Sequence, residues 1–219
     1  MTNYEEDTLN GYLTKKRVAE YKNYHTKSLS WGRLVTWMEQ RVLKSFFDQG
    51  AWQKADSVLD IPCGTGILGQ ALFNFPGVVV ASDISNEMLN LARDEYAKLQ
   101  EVKFVKADIV DTLFDENAFA CVVTLGFLHR VPPNIKEATL KEIFRLSNRY
   151  AVISFSKSSF FQHSKHFFFK LIKPDHIPAS NPMTITEAKR LCESVGFSTV
   201  RVKAVLPFFS SHTILILKK

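Results

Sequence analysis

Residues Ser57–Gly69 read SVLDIPCGTGILG: a short apolar run that ends in an acid, a proline and closely spaced glycines. Asp60 brings a carboxylate to the end of the run, and Gly64, Gly66 and Gly69 leave the backbone beside it bare. Glycine lets a chain turn tightly and lets another group approach the backbone closely. The pattern predicts a buried strand over Ser57–Ile61, a turn through Asp60–Gly66, and a helix over Ile67–Phe73. The first turn of such a helix would offer unpaired N–H groups and a partial positive charge to whatever occupies the turn.

Outward from this stretch the chain alternates. Val78–Ala81 is a continuous apolar strand ending at Ser82 and Asp83, and Ser85 can cap a helix in which Met88, Leu91, Ala92, Tyr96 and Leu99 share one face. Val102–Val105 is a strand followed by Asp108, Ala120–Leu125 another, Lys136–Leu146 a helix and Tyr150–Phe155 a strand. The first fifty residues read as helical, with Leu34, Trp37, Met38, Arg41, Val42 and Ser45 at helical spacing. Apolar strands alternating with helices indicate a parallel sheet covered on both faces, an α/β architecture. Ligands of such sheets bind beyond the carboxyl ends of the strands, where the acids and glycines of this chain stand.

Composition narrows the classes. No apolar run reaches the roughly 18–20 residues that span a bilayer, and the acidic, polar start MTNYEEDTLN does not read as a secretory signal. Cys63, Cys121 and Cys192 are far apart without metal-ligand spacing, so no metal site is expected, and a reduced, cytoplasmic protein is. Residues 151–219 hold ten Lys/Arg against three Asp/Glu, a net +7, whereas residues 1–150 hold eighteen against nineteen, a net −1. A basic C-terminal third favours an anionic partner: nucleic acid, lipid head groups or an acidic small molecule.

A nucleoside triphosphate loop needs a Gly-Lys-Ser/Thr ending, and no lysine follows Gly66. Gly64, Gly66 and Gly69 do fit the spacing of a dinucleotide loop, and in that reading too Asp83 accepts hydrogen bonds from ribose hydroxyls. The ordered set VLDIPCGTG, VVASDISNEMLNLA, VKADIVD and CVVTLGFLHRVP, followed by KEIFRLSNRYAVISF and TITEAKRLCESVGFSTVRV, resembles the class I S-adenosylmethionine (SAM)-dependent methyltransferases over roughly residues 55–219. The resemblance implies a Rossmann-like seven-stranded, mostly parallel sheet with helices on both faces, the last strand antiparallel, and a helical N-terminal cap. Its last two strands would be Ser198–Val205 and Thr213–Leu217. The implied organisation is a single domain: cap 1–54, SAM-binding core 55–155, an inserted lid segment 156–183, and a C-terminal helix and strand pair 184–219.

By that resemblance Asp60, Cys63 and the Gly64 and Gly66 backbone position the methionine part of SAM. Asp83 binds the ribose, Ile84 and Met88 pack on adenine, Asp108 bonds its amino group, and Ile109 lies beside the ring. Thr124 and Leu125 sit near the sulfonium, and Tyr21 and Tyr24 close the site from the N-terminal side. The chain departs from the family at Pro62, at Ala120 in the fourth strand and at Ser147-Asn148-Arg149, and none of these removes the cofactor site.

The acceptor is narrowed by elimination. Thr124-Leu125-Gly126-Phe127 lacks the proline-rich signature of base-amine enzymes, and Pro62-Cys63 lies in the wrong motif for a cytosine-C5 nucleophile. GFLHRVP resembles the small-molecule branch, with Phe127 and His129 facing the acceptor; His129 is either a general base or a structural hydrogen-bonding group. Residues 156–173 form a basic amphipathic pattern, with Phe160, Phe161, Phe167, Phe168, Leu171 and Ile172 opposite His163, Lys165, His166, Lys170 and Lys173. That segment reads as a packed cap helix, as a lid that brings His163, Lys165 and Phe168 to the acceptor, or as a peripheral contact with anionic membrane. The expectation is methyl transfer to oxygen or nitrogen of a small, partly hydrophobic acceptor, anionic or membrane-associated. An RNA methyltransferase using the basic third, and a non-catalytic SAM-binding partner subunit, are the alternatives.

Overall fold

The computed structural model describes residues 31–158, 181–205 and 211–219. The elements run α1 (Trp31–Gln49), β1 (Ser57–Asp60), a 3-10 turn (Gly69–Leu72), β2 (Val78–Asp83), α2 (Asn86–Tyr96), β3 (Val102–Lys106), β4 (Phe119–Thr124), a second 3-10 turn (Leu128–Arg130), α3 (Pro133–Leu146), β5 (Ser147–Ser156), α4 (Ile185–Ser194), β6 (Ser198–Ala204) and β7 (His212–Lys218). The seven strands form one sheet in the order β3-β2-β1-β4-β5-β7-β6. β1 to β5 are mutually parallel, and β7 lies antiparallel between β5 and β6.

The central strands are apolar throughout because both faces are covered: all six residues of β4, FACVVT, are buried. One core layer joins Leu43 and Phe47 of α1 to Val58, Val79, Ala92, Tyr96, Val123 and Val152. The other joins Leu59, Ile61, Val122 and Ile153 to Leu140 and Ile143 of α3 and Ala188 and Cys192 of α4. The strand order changes direction at β1, with β2 on one side and β4 on the other, so the ends of β1 and β4 flank the crevice in which such sheets bind ligands.

The expected helix over Ile67–Phe73 is not formed. Only the four residues Gly69–Leu72 turn, in 3-10 geometry. A methyl group on Gly66 would stand 2.8 Å from the Ala92 backbone, and one on Gly69 3.3 Å from the Tyr96 ring. The segment is therefore pressed against α2 at both glycines, and glycine has the lowest helix propensity of any residue but proline. Pro133 opens α3 at a position where a missing N–H costs nothing, and the helix runs directly into β5 at Ser147, with no glycine turn between them. Ala120, where the family carries an acid, is a buried residue of β4.

The loop after β3 is tied down by α3. Glu142 Oε1 accepts from the Thr112 N–H at 3.0 Å and the Thr112 hydroxyl at 2.6 Å, and it pairs with Arg145 at 2.7 Å. Replacing Glu142 by alanine leaves these donors without their shared acceptor. A loss of about 1–3 kcal/mol is expected in urea unfolding, with Glu142→Gln recovering part of it.

Candidate active site

The end of β1 and the turn after it are stitched to both neighbouring strands. Ile61 N–H donates to Val123 O at 2.9 Å and Cys63 N–H to Ser82 O at 2.8 Å. The Thr124 hydroxyl donates to Ile61 O at 2.8 Å, so this side chain is committed to holding two strand ends together. Three glycine amides of the turn are also used: Gly64 N–H donates to Asp83 Oδ2 at 2.9 Å, Gly66 N–H to Cys63 O at 3.0 Å and Gly69 N–H to Gly66 O at 2.9 Å. These three glycine amides are thus used within the protein, and the helix whose start was expected to offer free N–H groups is replaced by the four-residue turn Gly69–Leu72. Gly64 and Gly66 have φ of +54° and +77°, a left-handed conformation that L side chains rarely adopt. Beside Gly64 no atom lies within 4 Å of where a methyl would stand, so the backbone is open to an approaching ligand.

Two carboxylates converge here. Asp83 ends β2; its Oδ1 accepts from Ser85 N–H at 2.9 Å while Oδ2 holds Gly64. Burial holds its carboxyl above the ordinary range against the pull of these amides. Asp60 ends β1 and is almost wholly buried; its Oδ2 accepts the Tyr96 hydroxyl, and its Oδ1 has no partner among the described residues. Burial first, and the Asp83 charge after the opposing Tyr96 bond, push Asp60 up to about 7. The buried hydroxyls of Thr65 and Ser82 likewise lack partners among the described residues. Buried polar groups are nearly always satisfied, so three orphans around one turn mark a place completed by a ligand. Burial pushes the Cys63 thiol well up, leaving it a neutral filler of the turn and no nucleophile.

A cavity of about 480 Å³ is lined by Ile84, Val105, Lys106, Ala107, Asp108, Asp111, Leu113 and Phe114. Apolar walls with a few polar groups, Asp108 and Asp111 among them, suit a flat heteroaromatic ring with a polar edge. Asp108 Oδ1 also accepts from Val110 N–H at 3.1 Å, which fixes its orientation. Ile84 lines this cavity; Met88 and Ile109 are buried, Ile109 in the core layer against α3, and neither lines it.

At the end of β4, Gly126 N–H donates to Ser154 Oγ at 2.8 Å, and Leu125 and Phe127 are buried. His129 is buried, and its Nδ1 has no partner among the described residues. Its ring lies 5.3 Å from that of His212, whose Nδ1 meets Glu39 Oε1 at 2.9 Å. Burial first, then His212 and Lys136, lower His129 to about 3, so it is neutral at physiological pH. Lys136 Nζ donates to Asn181 O at 2.6 Å, and Asn181 N–H to His129 O at 3.2 Å.

Tyr96, Glu39 and His212 were not legible as site residues. Tyr96 reads only as one more apolar position of an amphipathic helix, and Glu39 and His212 stand 173 residues apart. Tyr21, Tyr24, His163, Lys165 and Phe168 lie outside the described residues, as does most of the expected lid segment. Among the described residues no group of three His, Cys, Asp or Glu side chains could hold a metal ion. No helix among them is long and apolar enough to cross a membrane.

Residues 58–149, the span from β1 to the start of β5, match the methyltransferase domain family. The demethylmenaquinone methyltransferase of Staphylococcus aureus is 29% identical over an alignment of 189 residues, covering 75% of this chain and 76% of that protein. The crystal structure of magnesium protoporphyrin IX methyltransferase from Synechocystis PCC 6803 with bound SAH superposes with a TM-score of 0.80, at 16% identity, over 98% of this chain and 99% of that one. Residues 58–149 thus carry a methyltransferase domain, and the chain has the Rossmann-like fold of the class I SAM-dependent methyltransferases. The Pyrococcus horikoshii PH0226 protein is a further structural neighbour, with a TM-score of 0.70 at 18% identity, covering 94% of this chain and 99% of that one.

In this methyltransferase domain the two turn glycines answer differently to a methyl group. Gly66→Ala combines a positive φ with a clash against backbone atoms of α2, and is expected to cost about 2–4 kcal/mol in thermal or urea unfolding. Gly64→Ala carries only the conformational strain, about 1–2 kcal/mol, because the space beside it is open.

Proposed function

We propose that the chain transfers the methyl group of SAM to a small, partly hydrophobic acceptor. The orphaned buried oxygens of Asp60, Thr65 and Ser82 around an open glycine turn carry this reading. Asp60 and the Gly64 and Gly66 backbone would hold the methionine part, Asp83 the ribose, and the Ile84–Asp108–Phe114 cavity the adenine, with Asp108 at its polar edge. Bound there, SAM supplies a methyl group already activated by its sulfonium. The protein's work is to hold the acceptor in line and keep water out.

On the acceptor side, Leu125 and Phe127 offer apolar contact, and neutral His129 offers a nitrogen that can accept or donate one hydrogen bond. A group lowered to about 3 binds protons weakly at neutral pH, so His129 serves as an orienting hydrogen-bond partner and not as the proton acceptor. A small-molecule acceptor is supported by the names of the relatives, one acting on a quinone and the other on a porphyrin. The net +7 of residues 151–219 supports an acceptor that is anionic or held at an anionic membrane surface, with the chain a peripheral visitor there.

Incubation with methyl-labelled SAM and cell extract, followed by separation of organic-soluble, small aqueous, RNA and protein fractions, tests the reading. Label is expected in the organic or small aqueous fraction, and Asp83→Ala is expected to lower it about 100-fold by releasing Gly64 and Ser85 and removing a charged acceptor. Label confined to RNA would sink the small-molecule assignment. Once the acceptor is in hand, the pH profile of kcat/KM for wild type and His129→Asn should show no inflection between pH 5 and 8 that the substitution removes. Such an inflection would make His129 a titrating base after all.

A further inference from the structure

Tyr96 closes α2 with its side chain fully buried. Its ring is packed under Gly66 and Gly69 and lies edge-on to Phe104, with centroids 6.0 Å apart. Its hydroxyl donates to Asp60 Oδ2. Burial first, then the Asp60 charge, hold the phenol well above its ordinary value, so it stays a donor at any working pH.

Among the described residues, the groups around Asp60 come from α2, β2, β4, α1 and the turn itself. α2 contributes Tyr96, β2 contributes Asp83 and the turn contributes Cys63. β4 presents Thr124, whose hydroxyl is committed to Ile61 O, and α1 reaches the turn through the neutral Gln40, which donates to Ile67 O. None of these is a cation. A buried carboxylate with one oxygen held by a phenol and the other without a partner among the described residues lacks a positive hydrogen-bond donor.

We propose that Tyr96 is a positioning residue for the cofactor: its hydroxyl holds the Asp60 carboxylate so that Oδ1 is left for the α-ammonium of SAM, and cofactor binding therefore follows the ionisation of Asp60. This rests on the cofactor reading above and adds to it a residue and a pH dependence. The sign follows from proton counting. Asp60, pushed up to about 7, must lose its proton before it can pair with the ammonium. Affinity is flat above that value and falls about tenfold for each pH unit below it. Without the phenol the carboxylate loses a donor that favours its charged form, so the inflection moves to higher pH.

The test is calorimetric titration between pH 5.5 and 8 with two probes. S-adenosylhomocysteine carries the α-ammonium, and 5′-methylthioadenosine has the same nucleoside without the amino-acid arm. Wild type should bind S-adenosylhomocysteine more weakly as pH falls below about 7, and 5′-methylthioadenosine with little pH dependence. Tyr96→Phe, which keeps the ring, should weaken S-adenosylhomocysteine about tenfold at pH 7.5 and shift its inflection upward, with 5′-methylthioadenosine unchanged. Asp60→Asn should flatten the profile, and it decides the matter with wild type if Tyr96→Phe does not fold. Equal weakening of both probes in Tyr96→Phe would make Tyr96 merely structural and overturn the inference, as would a flat wild-type profile for S-adenosylhomocysteine. Failure of wild type to bind either probe would overturn the cofactor reading itself.

Discussion

The cofactor end of the sheet depends on the Asp83 carboxylate, which accepts from the amides of Gly64 and Ser85 at the same time. One bond fixes the glycine turn after β1, and the other fixes the cap of α2. Ser85 in turn accepts from Met88 N–H, so the start of α2 is set from the same point. A helix fixed at Ser85 delivers Tyr96 three turns later beneath Gly66 and Gly69, and Tyr96 reaches back to Asp60. The two acids at the ends of paired strands are thus joined through a turn on one side and through a helix on the other. Burial disfavours both carboxylates as charges, and the amide and phenol donors are what make them tolerable.

The strands were legible because they are covered on both faces: continuous apolar runs such as Val78–Ala81 and Ala120–Leu125 have few other stable placements in a chain of this length. The acids at their ends were legible for the same reason, since a charge directly after such a run must stand at the sheet's edge. The Ile67–Phe73 segment was misread because its periodicity is helical while its conformation is set by contact with α2. No local pattern reports that contact. Tyr96 was read as an ordinary core position for a related reason: the hydroxyl that distinguishes it from phenylalanine matters only once Asp60, 36 residues earlier, is folded beneath it. Ile109 illustrates the reverse, a residue next to the cavity-lining Asp108 in sequence whose side chain is buried in the core layer against α3.

The far side of the crevice is organised differently. There Glu39 of α1, His212 of β7 and His129 beyond β4 meet, although they are supplied by the beginning, the end and the middle of the chain. Glu39 and His212 hold each other at 2.9 Å, and the neighbouring His129 stays neutral partly because a second imidazole stands beside it. A neutral imidazole exchanges donor and acceptor roles by tautomer alone. An acceptor hydroxyl or carbonyl can therefore be oriented there without a buried charge being created. This suits a methyl donor that already carries its own activation, because positioning then counts for more than proton abstraction.

The two ends also differ in how they answer to pH. Asp60 has an ordinary value of 3.8 and a folded value of about 7, so between these limits the folded chain binds more protons than the unfolded one. The contribution of Asp60 to stability is therefore fully present below pH 3.8 and is lost as pH rises towards 7. The ligand-free protein carries that cost under physiological conditions, where the carboxylate is increasingly charged and no cation among the described residues stands at Oδ1. An ammonium bound at Oδ1 offsets the cost in the same pH range, and ligand stabilisation grows with the ratio of ligand concentration to its dissociation constant. A buried acid that weakens the empty protein as it ionises thus strengthens the loaded one as it ionises. By the same reasoning the glycine turn beside Asp60 would be firmest with the site filled.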